Sequence, residues 1–329
     1  MTMLSSSSVV IAVTSAAAVG YSIYFLVRQL SPSIGRFRSR ELSNASPERE
    51  NNSTFTGPIF FKPADANEEA IYKTLESHPC IVKFLGTDPP TRQIMLAYLR
   101  NGNLLFHLQS NSDIPLATRL TWAIEIAQGV AHLHARDVIW ADPRLQNVLL
   151  TDDYHAVLCD FGLSVYKAPY SYKFSKGPPP IYSCPIGYNA RTPRRRDIFG
   201  LGVILFVLLS GRFPFHTDLF PSPPEEIAVM DKHDASSYDV ISGKCGDFDR
   251  LPPLLHSYFG SIVTKCFAIE YQSADVLVTE LEAACSLWWE NEQLLMGTDS
   301  VNVDTPYPHR PVHCSIEPVQ RKYVRTRPS

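Results

Sequence analysis

The stretch VIWADPRLQNVLL, residues 138–150, and the shorter stretch VLCDFG, residues 157–162, decide the fold of this chain. Each places polar side chains directly beside a short apolar run that is typical of a buried strand. Asp142 and Asn147 are five residues apart on a predicted loop, and Asp160 follows eighteen residues after Asp142. Taken singly, these are ordinary turn residues. Their order and spacing predict two neighbouring loops whose polar side chains act together.

The chemistry of these three side chains indicates phosphoryl transfer. That reaction needs a group that orients a hydroxyl, and oxygen ligands for the Mg²⁺ that neutralises charge on the phosphates. A loop aspartate, an asparagine shortly after it, and an aspartate before a flexible glycine can supply one base and two metal ligands.

The segments before and after these loops predict an α+β organisation. Strand-like runs occur at residues 59–62, 81–85 and 93–98, and Asp65 is positioned to cap a helix that reaches Leu75. From residue 116 to residue 133 the apolar residues fall at helical spacing over more than four turns. A small strand-rich lobe followed by a larger helical lobe would leave a cleft between them.

With these landmarks the chain resembles the eukaryotic protein kinase superfamily, in particular the divergent kinase-like proteins common in fungi. The resemblance extends over about residues 58–293. Residues 68–86 resemble helix C and the following strand, residues 96–104 the hinge, and residues 197–215 the central buried helix. The resemblance implies a two-lobed protein-kinase-like fold with a truncated N-lobe, ATP and Mg²⁺ as cofactors, and a protein substrate or partner.

The resemblance also assigns roles to individual residues. It implies that Asp142 is the catalytic base and that Arg144 lies near the γ-phosphate, where serine/threonine kinases carry a lysine. Lys62 would bind the phosphates, with Glu68 as its ion-pair partner.

The remaining assignments concern the metal and the adenine ring. Asn147 and Asp160 would bind Mg²⁺, and the backbone at Ala97 and Leu99 would face the adenine. Gln146 stands where tyrosine kinases usually carry arginine, which favours serine or threonine as the phosphorylated residue.

Three departures from the family pattern keep other functions open. Trp140 and Ala141 replace the usual His-Arg before the base, and no glycine-rich loop precedes Lys62. Glu68 comes only six positions after Lys62, so Lys62 is equally well explained as a surface lysine at a strand end. The alternative function is a pseudokinase that serves as a binding or scaffold module. A small-molecule kinase of the aminoglycoside type is disfavoured by Asp160-Phe-Gly and the helix at residue 197.

Composition excludes several other classes of protein. The chain has 329 residues, 45% of them hydrophobic, which excludes a wholly disordered chain, and a net charge of -3 argues against nucleic-acid binding. Its seven cysteines are scattered without a CxxC pair, so neither a disulfide framework nor a zinc site is expected. Such usage suits a reducing compartment.

The first 27 residues carry no charged side chain, and Val9–Val27 forms an apolar stretch. As a helix it would be about 28 Å long, close to the thickness of a bilayer's hydrocarbon core. Arg28 and three further arginines up to residue 40 follow it, so we expect a single-pass membrane protein with the kinase-like domain in the cytoplasm. A cleaved signal peptide and a misassigned translation start are the alternatives.

The predicted organisation has four parts. Residues 1–27 form a transmembrane segment, residues 28–54 a flexible linker, residues 55–296 the kinase-like domain and residues 297–329 a disordered tail. The linker and the tail lack apolar periodicity, and the tail contains five prolines.

Overall fold

The computed structural model describes residues 55–63, 65–168, 177–179, 182, 193–214, 251–296 and 307. The strands are β1 (Ile59–Lys62), β2 (Phe84–Thr87), β3 (Ile94–Ala97), β4 (Val138–Ile139), β5 (Val148–Leu150), β6 (Ala156–Leu158) and β7 (Val165–Tyr166). The helices are α1 (Ala66–Leu75), α2 (Leu104–Ser110), α3 (Leu116–Ala135), α4 (Pro193–Ser210), α5 (Pro253–Phe267) and α6 (Ala274–Met296), and a 3₁₀ turn spans Leu145–Asn147.

The first three strands form an antiparallel sheet in the order β1-β3-β2. In the middle strand, Ile94 and Leu96 are buried, whereas the first three residues of β1 are exposed. Lys62 is paired with Ile94 at the end of β1. The sheet therefore buries its centre and brings Lys62 to the point where the chain turns into α1.

The predicted strand at residues 81–85 is displaced in the structure. The backbone N–H of Val82 donates to the carbonyl of Leu158 at 2.9 Å, and the N–H of Leu158 donates to the carbonyl of Cys80 at 2.8 Å. Because the start of this segment pairs with β6, β2 begins only at Phe84. The competing partner was not visible in the local sequence pattern.

Helix α1 begins where its sequence predicts. The side chain of Asp65 accepts hydrogen bonds from the backbone N–H groups of Asn67 and Glu68 at 2.8 and 3.1 Å, which satisfies two donors of the first turn. Ile71 and Leu75 are fully buried on the inner face of the helix. Capping and burial together fix the direction in which Glu68 projects.

The helical part is built around α3 and α4. Every residue of α4 from 196 to 209 is buried, which confirms the prediction of a core helix here. On α3, Trp122 is fully buried, and its indole N–H donates to the carbonyl of Tyr154 at 2.6 Å. These two helices, with α5 and α6 packed against them, form the support on which the short strands β4 to β7 rest.

The predicted fold class included a transmembrane helix, and that part is corrected. In the described residues, no helix combines the length and apolar character needed to cross a bilayer. The apolar stretch Val9–Val27 and the linker at residues 28–54 lie outside those residues. Of the predicted tail, residues 297–329, the structure describes only Tyr307.

One glycine of α4 allows the helix to lie directly beneath the loop that carries Asp142. A Cβ atom added to Gly200 would overlap Cγ of Pro143, and it would lie 2.9 Å from Cβ and 3.2 Å from the carbonyl oxygen of the same proline. A proline ring cannot move away without moving its backbone. Gly200 therefore sets the height of this loop above the core.

We expect Gly200→Ala to lower the free energy of unfolding by about 1–3 kcal/mol, because the added methyl overpacks a rigid contact. Alanine's better helix propensity would offset at most about 1 kcal/mol of this loss. Urea denaturation measures the change. The double variant Gly200→Ala/Pro143→Ala should lose less than the sum of the single variants, because it removes Cγ of the ring. A Gly200→Ala chain as stable as the wild type would contradict this account.

Candidate active site

Lys62 lies between two carboxylates. Its Nζ is 2.7 Å from Oε1 of Glu68 and 2.7 Å from Oδ1 of Asp160. The side chain of Glu68 is 1% exposed, and that of Asp160 is 44% exposed. The sequence left open whether Lys62 pairs with Glu68 or is a surface lysine. In the structure its ammonium group bridges Glu68 and Asp160.

The short spacing between Lys62 and Glu68 follows from the early start of α1. The helix begins at Ala66, four residues after the end of β1, and the Asp65 cap places Glu68 in its first turn. Burial alone would lower the pKa of Lys62, but the charges of Asp160 and Glu68 outweigh it and raise that pKa above its ordinary value. Lys62 therefore stays positively charged.

A second set of contacts joins α1 to the segment that follows β6. Oε1 of Glu68 accepts the backbone N–H of Phe161 at 2.9 Å, and Asn67 donates its side-chain N–H to the carbonyl of Ser164 at 3.0 Å. The buried ring of Phe161 meets Tyr72 edge to face, with 5.0 Å between centroids. Polar and aromatic contacts together hold Asp160 next to Lys62.

Asp142, Arg144 and Asn147 form a compact group on the loop before β5. The side-chain amide of Asn147 donates to the backbone carbonyl of Asp142 at 3.0 Å and to its Oδ2 at 2.9 Å. Nη2 of Arg144 lies 2.9 Å from the same Oδ2. The orientation of the Asp142 carboxylate is therefore fixed through one of its two oxygens.

The other oxygen of Asp142 has a different environment. Oδ1 is buried and has no hydrogen-bond partner among the described residues. Burial raises the pKa of Asp142, and the charge of Arg144 and the Asn147 hydrogen bond offset only part of this rise. A buried acceptor without a partner is costly in a folded protein, so Oδ1 is left with an unmet capacity to accept a hydrogen bond.

The hairpin formed by β5 and β6 brings the two predicted metal ligands to one end. Val148 pairs with Leu158, and the N–H of Cys159 donates to the carbonyl of Asn147 at 2.9 Å. The described residues include no group of three His, Cys, Asp or Glu that could hold a metal unaided. Because its nitrogen is already hydrogen-bonded to Asp142, Asn147 would offer its amide oxygen, and Asp160 would offer a carboxylate oxygen. Two oxygen donors fit a hard divalent cation whose remaining ligands are phosphates and water.

A buried aspartate beneath the loop was not selected as a site residue from the sequence. Asp197 on α4 is fully buried and accepts the backbone N–H groups of Trp140 and Ala141 at 2.7 and 2.8 Å. Nε2 of His134 lies 2.9 Å from Oδ2 of Asp197. The signal in the sequence was a single carboxylate in an apolar helix, since such a charge needs buried donors.

Trp140 occupies the position at which the family usually has histidine. Its side chain is fully buried, and the indole N–H donates to the carbonyl of Cys159 at 3.4 Å. Its own carbonyl accepts the hydroxyl of Ser164 at 2.8 Å. Trp140 thus connects the loop of Asp142 with the segments on both sides of Asp160.

The two residues predicted to face adenine lie at the end of the sheet. Ala97 is the last residue of β3, and its backbone N–H donates to the carbonyl of Lys83 at 2.9 Å. The carbonyl of Leu99, two residues later, accepts the N–H of Gly102 at 3.3 Å. These contacts fix the backbone at the two residues that were predicted to face adenine.

Comparison with known proteins gives one consistent result. The family model described as Protein kinase domain matches residues 61–248. The chain is 26% identical over 152 residues to cAMP-dependent protein kinase type 3 of Saccharomyces cerevisiae, covering 46% of this chain and 38% of the relative. It is 32% identical over 166 residues to the ovarian-specific serine/threonine-protein kinase Lok of Drosophila melanogaster, covering 48% and 34%.

A tyrosine kinase is also among the similar proteins. The chain is 26% identical over 189 residues to tyrosine-protein kinase csk-1 of Caenorhabditis elegans, covering 55% of this chain and 34% of the relative. The chain thus spans little more than a third of the length of each of these three proteins. The family model, by contrast, matches more than half of the chain, so this chain belongs to the protein kinase domain family.

Proposed function

We propose that this chain is a serine/threonine protein kinase that transfers the γ-phosphate of Mg²⁺-bound ATP to a hydroxyl of a protein substrate. The observation that carries the proposal is the Asp142 carboxylate. One oxygen is held by Asn147 and Arg144, and the other is buried with no partner in the part of the chain that the structure describes. A carboxylate held in this way can orient a substrate hydroxyl and accept its proton.

Lys62 supplies the positive charge on the nucleotide side. Its ammonium group, positioned by Glu68, would bind phosphate oxygens while staying beside Asp160. Asn147 and Asp160 are the side chains that would hold Mg²⁺. When bound, Mg²⁺ neutralises charge on the phosphates.

Arg144 is the second cation of the proposed site. Its guanidinium pairs with Asp142 at 2.9 Å, so it lies close to the expected position of the attacking hydroxyl. A planar guanidinium that binds a carboxylate can also bind phosphoryl oxygens, with a geometry that a lysine does not reproduce. The name of Lok, a serine/threonine-protein kinase, and the glutamine at residue 146 support serine or threonine as the acceptor, whereas csk-1 is named a tyrosine kinase.

A pseudokinase is the second candidate function. The observation that favours it is the small size of the sheet that carries Lys62. Within the described residues the sheet has three strands, and β1, which carries Lys62, pairs with β3 alone. Ala141 offers no side chain that could bind a phosphorylated activation segment. A chain with these features could hold partners without transferring phosphate, so nucleotide binding and phosphoryl transfer need separate tests.

Asp142→Asn should lower kcat by about 10²- to 10⁴-fold, because the amide cannot accept the hydroxyl proton. The assay uses radiolabelled Mg-ATP with peptides that contain serine, threonine or tyrosine, followed by phosphoamino-acid analysis. Asp113→Asn, at an exposed aspartate, is the matched control and should retain wild-type activity. Equal phosphorylation by the Asp142→Asn and wild-type chains would refute the proposed role, and phosphotyrosine alone would refute the proposed acceptor.

The pH profile should show the raised pKa of Asp142. The base must be deprotonated, so kcat/KM should fall with decreasing pH through a pKa above that of an exposed aspartate, about 4. Arg144→Gln should move this acid limb to higher pH, since the positive charge that lowers the pKa is lost; Arg144→Lys should move it less. An acid limb that is unchanged in Arg144→Gln would argue against Asp142 as the titrating base.

Thermal unfolding separates nucleotide binding from scaffolding. Mg-ATP at about a hundred times its Kd should stabilise a binding-competent fold by about 2.7 kcal/mol, seen as a rise in Tm. Lys62→Met should reduce that rise, whereas Lys73→Met, at an exposed lysine on α1, should not. If Mg-ATP at millimolar concentration leaves the wild-type Tm unchanged, the scaffold function is the better explanation.

A further inference from the structure

Three aromatic side chains on the helical part form a small cleft around Tyr307. His107 lies on α2, Trp122 on α3, and Tyr154 in the turn between β5 and β6. We call this set the aromatic cleft. The ring of Tyr307 lies 4.9 Å from that of Tyr154, 5.8 Å from that of His107 and 6.0 Å from that of Trp122, centroid to centroid.

The geometry of the aromatic cleft suits one flat ring. All three rings meet Tyr307 edge to face, with interplanar angles of 66°, 80° and 85°. Edge-to-face contacts of this kind are favourable beyond the area that they bury. The rings of the cleft also contact one another, since His107 is 5.8 Å from Trp122 and 5.4 Å from Tyr154. The walls therefore support each other independently of their occupant.

One polar contact between Tyr307 and the aromatic cleft favours tyrosine over phenylalanine. The hydroxyl of Tyr307 lies 3.2 Å from Nε2 of His107. Burial lowers the pKa of His107, which favours the neutral ring, and a neutral ring can accept the hydroxyl proton at Nε2. The indole N–H of Trp122 is already bonded to the carbonyl of Tyr154, so it holds the wall of the cleft in place.

The sequence around Tyr307 suits an extended ligand. Tyr307 lies between Pro306 and Pro308. Proline restricts φ, so a proline-flanked tyrosine has fewer conformations to lose when it binds. Tyr307 is eleven residues beyond the last residue of α6, Met296, so it reaches the cleft from the C-terminal part of the chain.

We propose that the aromatic cleft is a binding site for a proline-flanked tyrosine, occupied in this chain by its own Tyr307. The site does not depend on the phosphoryl-transfer chemistry at Asp142. Its location is nevertheless close to that chemistry along the chain, because Tyr154 belongs to the turn of the hairpin that carries Asn147 and Asp160 at its other end.

The test presents the ligand as a separate molecule to the full-length chain. The probe is a fluorescently labelled peptide of residues 303–311, VDTPYPHRP, and the measurement is anisotropy. The Tyr307→Ala chain, whose cleft is vacated, should bind it at least ten-fold more tightly than the wild type, in which Tyr307 competes. A peptide with alanine in place of the tyrosine should bind at least ten-fold more weakly, and one with phenylalanine should fall between the two.

Two further variants distinguish binding in the cleft from binding elsewhere. Tyr154→Leu, introduced into the Tyr307→Ala chain, should weaken peptide binding because it removes the nearest ring. Tyr166→Ala, at an exposed tyrosine on β7 and introduced into the same Tyr307→Ala chain, is the matched control and should leave peptide binding unchanged. Equal affinity for the tyrosine and alanine peptides, or binding that survives Tyr154→Leu undiminished, would overturn the proposal.

If the peptide binds too weakly to be measured, amide hydrogen exchange of the full-length chain provides a second test of whether Tyr307 occupies the aromatic cleft. If Tyr307 occupies the cleft, Tyr307→Ala should raise amide exchange in α2, residues 104–110, and Tyr307→Phe should raise it less. The absence of both peptide binding and a change in exchange would overturn the proposal. Neither result bears on kinase activity, so the two proposals can fail separately.

Discussion

The ammonium group of Lys62, held between Glu68 and Asp160, is the interaction on which the arrangement of the site depends. It connects the end of β1, the first turn of α1 and the segment after β6. Glu68 is almost fully buried, so removing Lys62 would leave a carboxylate without its counter-charge in the interior. Such a loss is far more destabilising than the pair is stabilising.

A second buried carboxylate, that of Asp197, fixes the loop that carries Asp142. Asp197 accepts two backbone N–H groups of the loop before Asp142, while Gly200 lets the same helix approach Pro143. The loop is thus held by backbone contacts to a core helix. The position of the loop is therefore explained without a phosphorylated activation segment. This agrees with Ala141, which has no side chain that could bind such a phosphate.

Much of this site could be predicted from the sequence, because its chemistry is encoded in local spacing. Asp142, Asn147 and Asp160 stand beside strand-like runs, and a hairpin register brings two of them together. The role of Lys62 could not be predicted. A separation of six positions lets Lys62 reach Glu68 only if α1 begins soon after β1. Asp197 was missed because its partners are backbone groups far away in the chain. The predicted transmembrane helix, based on the apolar length of Val9–Val27 and the arginines after it, is not supported: no described helix could cross a bilayer, and that stretch lies outside the described residues.

The most direct test is a crystal structure of the full-length chain with Mg²⁺ and a non-hydrolysable ATP analogue. The account predicts Nζ of Lys62 within about 3 Å of both the Glu68 carboxylate and a nucleotide phosphate oxygen. It also predicts that the metal is bound by oxygens of Asn147 and Asp160. A structure in which Lys62 points to solvent, or in which the nucleotide is bound away from these side chains, would contradict it.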